Sequence, residues 1–501
     1  MKKMFNIVVE TIKKHDNICV FIYMILALSV YVYAVPLSSY DELWNFSFVY
    51  KMTNGYTIYK DLNVITTPMF HYLGEIIMKI FGNNYISFRI YNILILSSLI
   101  TIIYNFLKKL KIKKINAYIY ILIILVWALI KKVAVIGASY NFLCLVFVIL
   151  GICLELNENN KKINKIYKGL IMFCIFMTKQ NVWFLYIIAL TVSYLIKIKR
   201  KEIQIKEIIK NLILVGISFS IPLIIFILYL YINDSLNDFI SYCFMGVREF
   251  GSKNKIFYIN SIPYILASLI GIIISVILIR IKNVNEKIKQ INLKTIPFQV
   301  IMLLWAYPII DSYHTGCGSL ISILIIFYNL HNIFIIEFIN KTKFYKIEKM
   351  IICIVSIFLV LYNIWYLDCY INSKNISKFM IEPYKNIYIS TESQKKITNI
   401  CNYIKENNKN NIEVKLISCD ANIYMNILNK NNKNLDLPFL GNLGENGEER
   451  LINEIKNLKK GTKILLNNKL KCYQESDKVK KFIVENYNKI GEIEDFDIYE
   501  K

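Results

Sequence analysis

Long apolar runs separated by short basic segments restrict this chain more than any other feature. Crossing the hydrocarbon core of a bilayer takes about 20 residues of helix, and only helices or closed barrels satisfy their backbone there. Runs of that kind recur from about residue 18 to residue 368, and the chain is 55% hydrophobic with 19% charged residues. A soluble globular protein is excluded. Hydropathy predicts about eleven spans, at about 18–37, 86–107, 116–131, 134–155, 166–178, 182–196, 209–232, 259–280, 296–311, 317–338 and 348–368. Met1-Lys2-Lys3-Met4 reads like the start of a signal peptide, but the run from Ile18 to Leu37 is too long for one. It is read as a retained span.

The formal charge of +24 comes from basic residues placed between the apolar runs, not from a basic soluble domain, so nucleic acid is not the expected partner. Five clusters fall on one side: Lys108 to Lys114, Lys161 to Lys168, Lys197 to Lys201, Arg280 to Lys289 and Lys341 to Lys349. The positive-inside rule makes that side cytoplasmic. This predicts a multi-pass plasma-membrane protein with a cytoplasmic N-terminus. The eleven cysteines include Cys144, Cys153, Cys174 and Cys353 inside spans and form no CxxC pair, so they read as packing residues.

The same rule requires two short spans on either side of Lys179-Gln180-Asn181, because a single merged helix would place the next basic loops outside. The turn from Thr178 to Asn181 is then expected below the outer surface, where polar backbone is tolerated only beside a protein or water cavity. Lys179 becomes a candidate site residue on that ground. Its alternative is a snorkelling lysine at a helix end. Three outer segments are long enough to carry chemistry: 38–85, 233–258 and 311–316. The first holds Asp41-Glu42 and a stretch that opens at Pro68 and closes at Gly82, read as an interfacial helix.

Near Tyr370 the composition turns polar and rich in Asn and Lys, which predicts a boundary between a membrane core, 1–369, and a C-terminal extracytoplasmic domain, 370–501. Apolar runs at Ile387–Ile389, Val414–Ser418 and Lys463–Leu466 alternate with helical stretches at Glu392–Glu406, Glu448–Lys459 and Lys478–Tyr487. A small α/β domain is expected. Gly441-Asn442-Leu443-Gly444 follows no strong strand and is read as a loop, not as a dinucleotide fingerprint.

Adjacent acids at a span end serve either as a solvated turn, with Asp41 capping a following helix, or as chemistry. An outer face collecting Asp41, Glu42, Tyr59, Asp61, Arg89, Lys179, Arg248 and His314 has a base, charge-assisted donors and metal-ligand types in one leaflet. In order and spacing, Asp41-Glu42 after the first span, Gly55-x-x-x-Tyr59-x-Asp61, Pro68, Gly82 with Arg89 opening the second span, and Lys179-Gln180 between short spans resemble one family. This is the GT-C class of integral-membrane glycosyltransferases. The branch it is most similar to contains the protein O-mannosyltransferases and lipid A aminoarabinose transferases, the glycosyltransferase family 39 pattern. The resemblance covers about the first 200 residues.

That resemblance implies an α-helical polytopic enzyme that moves a sugar from a polyprenyl-phosphate donor to a glycan, lipid or protein acceptor on the outer face, with inversion. Asp41 would be the general base, and Glu42, at the second acidic position, would bind the acceptor or a divalent metal, the one cofactor considered. For the donor phosphate the candidates are Lys179, Gln180, Arg89 and Arg248; His314 is a candidate for donor or metal. Tyr59 and Asp61 are expected to shape the loop. The family pattern is incomplete, because no motif identifies the acceptor and the C-terminal segment does not resemble the β-trefoil of eukaryotic protein O-mannosyltransferases. A transporter or flippase for lipid-linked sugars would instead place charges in mid-span and show inverted repeats. A polysaccharide polymerase would carry its large polar loop late in the chain. A membrane scaffold with a binding tail would need no active Asp41.

Overall fold

The computed structural model describes residues 15–34, 37, 40–114, 116–121, 139–157, 162–247, 251, 256–332, 375–436, 438–467 and 475–501. Its helices of ten or more residues up to residue 330, in chain order, are α1 (Asp16–Ala34), α2 (Tyr40–Thr53), α3 (Met69–Phe81), α4 (Tyr85–Lys109), α5 (Ser139–Leu156), α6 (Lys162–Thr178), α7 (Gln180–Lys199), α8 (Ile205–Ile232), α9 (Ile262–Arg280), α10 (Glu286–Ile301) and α11 (Ser312–Leu330). Among the described residues, α4, α7, α8, α11 and the helical stretch Ile259–Arg280 that contains α9 are long and apolar enough to cross a membrane. The fold is that of a polytopic membrane protein. Ile213, Ile217, Ile221, Ile224 and Leu228 along α8 are exposed, a surface stable against acyl chains and costly against water. The expected span at 348–368 and most of that at 116–131 lie outside the described residues.

Two expectations need correction. The apolar run at 296–311 is not one continuous helix: α10 begins earlier, at Glu286, and ends at Ile301, a tight turn covers Met302–Ala306, and Ile309–Ile310 (β2) pairs in parallel with Ile256–Phe257 (β1). Pro308 has no N–H to continue a helix, and a residue preceding proline is pushed toward extended backbone. Second, Asp41 and Glu42 do not lie in a loop; they form the first turn of the 14-residue helix α2. The interfacial stretch follows its punctuation: Pro68 precedes α3 and Gly82, at φ 111°, ends it.

The C-terminal residues hold β3 (Ile376–Lys378) paired antiparallel with β4 (Tyr388–Ser390), and a four-stranded sheet in the order β5-β6-β8-β7. Its strands are β5 (Val414–Ile417), β6 (Lys463–Asn467), β7 (Asn488–Ile493) and β8 (Phe496–Glu500). β5 and β6 are parallel; β8 runs antiparallel to both β6 and β7. The helices here are Thr391–Lys409, Ala421–Ile427, Gly447–Lys456 and Asp477–Asn486. Ile417, Leu451, Ile455, Ile464, Leu466 and Ile483 pack into one apolar cluster on this sheet.

A second cluster joins these residues to the first outer segment. Phe46 of α2 meets Tyr85 and Tyr384 with ring centroids 4.8 and 5.3 Å apart. Ser47 Oγ donates toward Asn422 Oδ1 at 3.1 Å and Asn426 Oδ1 at 3.0 Å, and Lys51 Nζ lies 2.8 Å from Asp436 Oδ2. Lys51 and Asp436 are buried, so their charges stand in a medium where unpaired ones would be strongly unfavourable. Helix α2 is thus held between the membrane helices and the C-terminal segment, chiefly its helix Ala421–Ile427.

Candidate active site

The first turn of α2 points Asp41 and Glu42 in different directions. Glu42 is buried against Arg89 of α4: Nε lies 2.8 Å from Oε1 and Nη2 3.3 Å from Oε2, a bidentate pair. Arg89 Nη1 also donates to the carbonyl of Val32 at 2.9 Å, and its guanidinium sits 4.8 Å from the Tyr85 ring centroid. Neither residue lines the cavity. The carboxylate assigned to a metal or an acceptor is therefore engaged elsewhere, and the residues around Glu42 do not fit a metal site. Among the described residues no group of three or more His, Cys, Asp and Glu is arranged to hold a metal.

Asp41 faces a cavity of about 240 Å³ that Lys179, Gln180, Asp311 and His314 also line. Its side chain is exposed to the cavity, while the protein atoms around it take the place of part of its bulk water. Burial raises its pKa above the ordinary value; His314 and Lys179 pull against that shift and Asp311 adds to it.

Lys179 is the single extended residue, at φ −157° and ψ 102°, between α6 and α7. Trp183, Tyr140 and Trp305 crowd the surrounding helices with aromatic rings, and the Lys179 ammonium stands 5.6 Å from the Tyr140 centroid and 5.3 Å from that of Trp305. It donates to Asn141 Oδ1 at 2.6 Å, an oxygen that Trp305 Nε1 also approaches at 3.2 Å. Among the described residues no carboxylate lies within 4.0 Å of this buried ammonium. A buried cation held by neutral partners keeps its field available for an anion.

The opposite side is built by the start of α11. Asp311 accepts from the His314 backbone N–H at 2.7 Å, which caps the helix, and its Oδ2 lies 2.9 Å from His314 Nδ1. Burial alone would raise the Asp311 pKa, but the hydrogen bonds and charge of His314 outweigh it and hold the carboxyl below its usual value. Gln180 donates to the carbonyls of Ile65 at 2.9 Å and Cys243 at 2.8 Å, tying the 55–67 loop to the cavity floor. Tyr59 and Asp61 lie within that loop: Tyr59, at φ 66°, donates to the Thr66 carbonyl at 2.9 Å, and Asp61 accepts from the Thr57 N–H at 2.7 Å. They brace the wall without lining it. Gly441 and Asn442 of the C-terminal segment close another wall, Asn442 Nδ2 donating to the Asn63 carbonyl at 2.8 Å.

Of the residues expected from sequence, the structure thus gathers Asp41, Lys179, Gln180 and His314 around one cavity and sets Glu42, Arg89, Tyr59 and Asp61 outside it. Arg248 lies outside the described residues. Asn45, His71, Asn141, Trp305 and Asp311 were not singled out as candidates. Asp311 carried a readable signal, the Asp-x-x-His spacing of a helix cap; Asn141 and Trp305 carried none. Asn45 Nδ2 donates to the Asp41 carbonyl at 2.7 Å, and Asn45 Oδ1 stands 3.2 Å from His71 Nε2. Burial pushes the His71 imidazole down to about 3, so it is neutral at physiological pH.

The mostly helical core with a C-terminal α/β segment has a counterpart among solved structures. Among solved structures, ArnT from Cupriavidus metallidurans bound to undecaprenyl phosphate superposes with a TM-score of 0.52 at 10% identity, covering 96% of each chain. The archaeal oligosaccharyltransferase AglB from Archaeoglobus fulgidus, in complex with an inhibitory peptide and a dolichol-phosphate, gives a TM-score of 0.46 at 11% identity over 91% of this chain and 70% of that one. No family model matches the sequence, and no curated protein does. What is shared with ArnT is the fold.

Proposed function

We propose that the chain is a glycosyltransferase that takes a sugar from a polyprenyl-phosphate carrier and passes it to a hydroxyl acceptor, with Asp41 as general base. The observation that carries this reading is that the Asp41 carboxylate and the buried Lys179 ammonium line one cavity, the ammonium held by Asn141 and, among the described residues, with no carboxylate in ion-pair reach. The shared fold with ArnT, solved with undecaprenyl phosphate, supports the class of carrier.

In this mechanism the acceptor hydroxyl gives its proton to Asp41 as its oxygen bonds to the anomeric carbon. The bond from that carbon to the phosphate oxygen breaks on the opposite face, its electron pair leaves with the polyprenyl phosphate, and the configuration inverts. Lys179 stabilises the charge developing on the phosphate. Gln180 keeps the 55–67 loop in place, and the Asp311–His314 pair faces the donor as a charged wall. Arg248 stays a candidate for the phosphate, and Tyr59 and Asp61 serve as loop braces. Glu42 and Arg89 act through the position of α2.

The assay is release of labelled sugar from a panel of polyprenyl-phosphate sugars by purified protein, beside Lys179→Met. One donor should be consumed, with its turnover lowered about a hundredfold or more in the variant. Consumption of none, together with movement of an intact lipid-linked sugar across vesicles, would favour the flippase reading.

The reaction is assigned to the outer face of the plasma membrane, with a cytoplasmic N-terminus, about eleven spans, a membrane core over 1–369 and an extracytoplasmic domain over 370–501. In intact cells, after native thiols are blocked, Lys201→Cys should react with a maleimide only after permeabilisation and Asn386→Cys before it. Both positions are exposed. The reverse labelling would overturn this orientation.

A further inference from the structure

His71 is fully buried and lines the cavity, but one of its two ring nitrogens has no hydrogen-bond partner. Which nitrogen carries the proton is set by its neighbours. Asn45 uses its amide Nδ2 on the Asp41 carbonyl, so Asn45 presents Oδ1, an acceptor, to the imidazole. His71 Nε2 must therefore be the N–H donor, and in a neutral ring that leaves Nδ1 as a lone-pair acceptor. That atom is the buried one without a partner. A buried acceptor left unmet is unfavourable, and such groups are normally satisfied by protein, water or ligand.

The surroundings narrow the ligand. Phe48 and Phe70 stand edge-on to the imidazole, with centroids 5.7 and 5.5 Å away, and Phe48 and Trp44 share the cavity wall with it. A neutral acceptor among aromatic rings repels a phosphate, which brings only acceptors. It suits a sugar, whose C–H face packs on rings while its hydroxyls donate. The Lys179 ammonium, which lines the same cavity, suits the phosphate.

We infer that His71 Nδ1 accepts a hydrogen bond from one ring hydroxyl of the transferred sugar and so helps to select which sugar is bound. This rests on the lipid-linked sugar reading given above. It makes His71 a specificity residue on α3, coupled to Asp41 on α2 through Asn45, which stands one helical turn from the base.

The test compares the full-length protein, His71→Asn and His71→Gln in detergent, by thermal shift and by direct binding. An Asn amide oxygen overlays Nδ1 and restores an acceptor there, whereas a Gln amide overlays Nε2 and leaves the Nδ1 position empty. The probes are undecaprenyl phosphate, a panel of undecaprenyl-phosphate-linked hexoses and pentoses, and monodeoxy analogues of the sugar bound best. Wild type and His71→Asn should bind that sugar about tenfold more tightly than one of its monodeoxy analogues. His71→Gln should bind the two alike, and all three proteins should bind undecaprenyl phosphate equally. Discrimination by His71→Gln equal to that of wild type would overturn the inference and leave the proposed function standing. So would a loss of undecaprenyl phosphate binding that matches the loss of sugar binding, which would make His71 a packing residue only. If wild type binds neither carrier nor sugar-linked carrier, the proposed function fails and this inference with it.

Discussion

Asp41→Asn is expected to lower turnover by about a hundredfold to ten-thousandfold while leaving the protein as stable as the parent or more so. The two effects have one origin. Burial holds the Asp41 pKa above its ordinary value, so between the unfolded and folded values the native state binds more protons than the unfolded chain. Stability therefore falls as pH rises through that window, and at neutral pH the ionised carboxylate is a burden on the fold. Asparagine removes the charge and keeps the shape. Activity has the opposite dependence, because only the ionised form can take the acceptor's proton. The acid limb of kcat/KM should thus lie above the ordinary carboxylate range in wild type. Turnover against pH, measured beside thermal unfolding in detergent, checks both parts. An Asp41→Asn protein as active as the parent would remove the base from the mechanism.

The sequence disclosed this site unevenly, for physical reasons. Membrane insertion depends on hydropathy, so α4, α7, α8, α9 and α11 were legible as apolar runs. Pro68 and Gly82 marked the ends of α3 because their backbone chemistry is local. The break at Lys179 was readable from charge placement, since a merged helix would have contradicted the basic loops. Helix α2 was not: it is covered by membrane helices on one side and by the C-terminal segment on the other, so apolar residues such as Leu43, Phe46, Phe48 and Val49 show no single face. The run at 296–311 misled for a related reason, because mean apolarity does not register that the helix ends at Ile301 or that Pro308 favours extended backbone around it. Charge type alone also left the role of Arg89 open, since an arginine opening a span serves equally as an anchor, a phosphate ligand or a strut. Only the geometry with Glu42 separates these.

That geometry supports a second large effect. Arg89→Met is expected to destabilise the protein by about 3–5 kcal/mol, because it leaves Glu42 as an uncompensated buried charge. Both partners are sealed from solvent, at 0% and 1% exposure. The pair ties the first turn of α2 to α4, and through the Val32 carbonyl to the end of α1. Asp41 is the adjacent residue, so loss of the pair should displace the base as well. Replacing both partners, Glu42→Leu with Arg89→Met, removes the stranded charge and should recover most of the stability, as apolar replacements of buried ion pairs often do. Activity should stay low, because apolar contact does not fix the direction of a helix turn as two parallel hydrogen bonds do. Thermal unfolding and turnover of the two single variants and the double variant form a cycle that separates the terms. If Arg89→Met keeps its stability and loses only donor binding, Arg89 is a ligand of the phosphate and the strut reading fails. If the double variant recovers stability and turnover together, the pair orients nothing, and Asp41 is held by the packing of α2 alone.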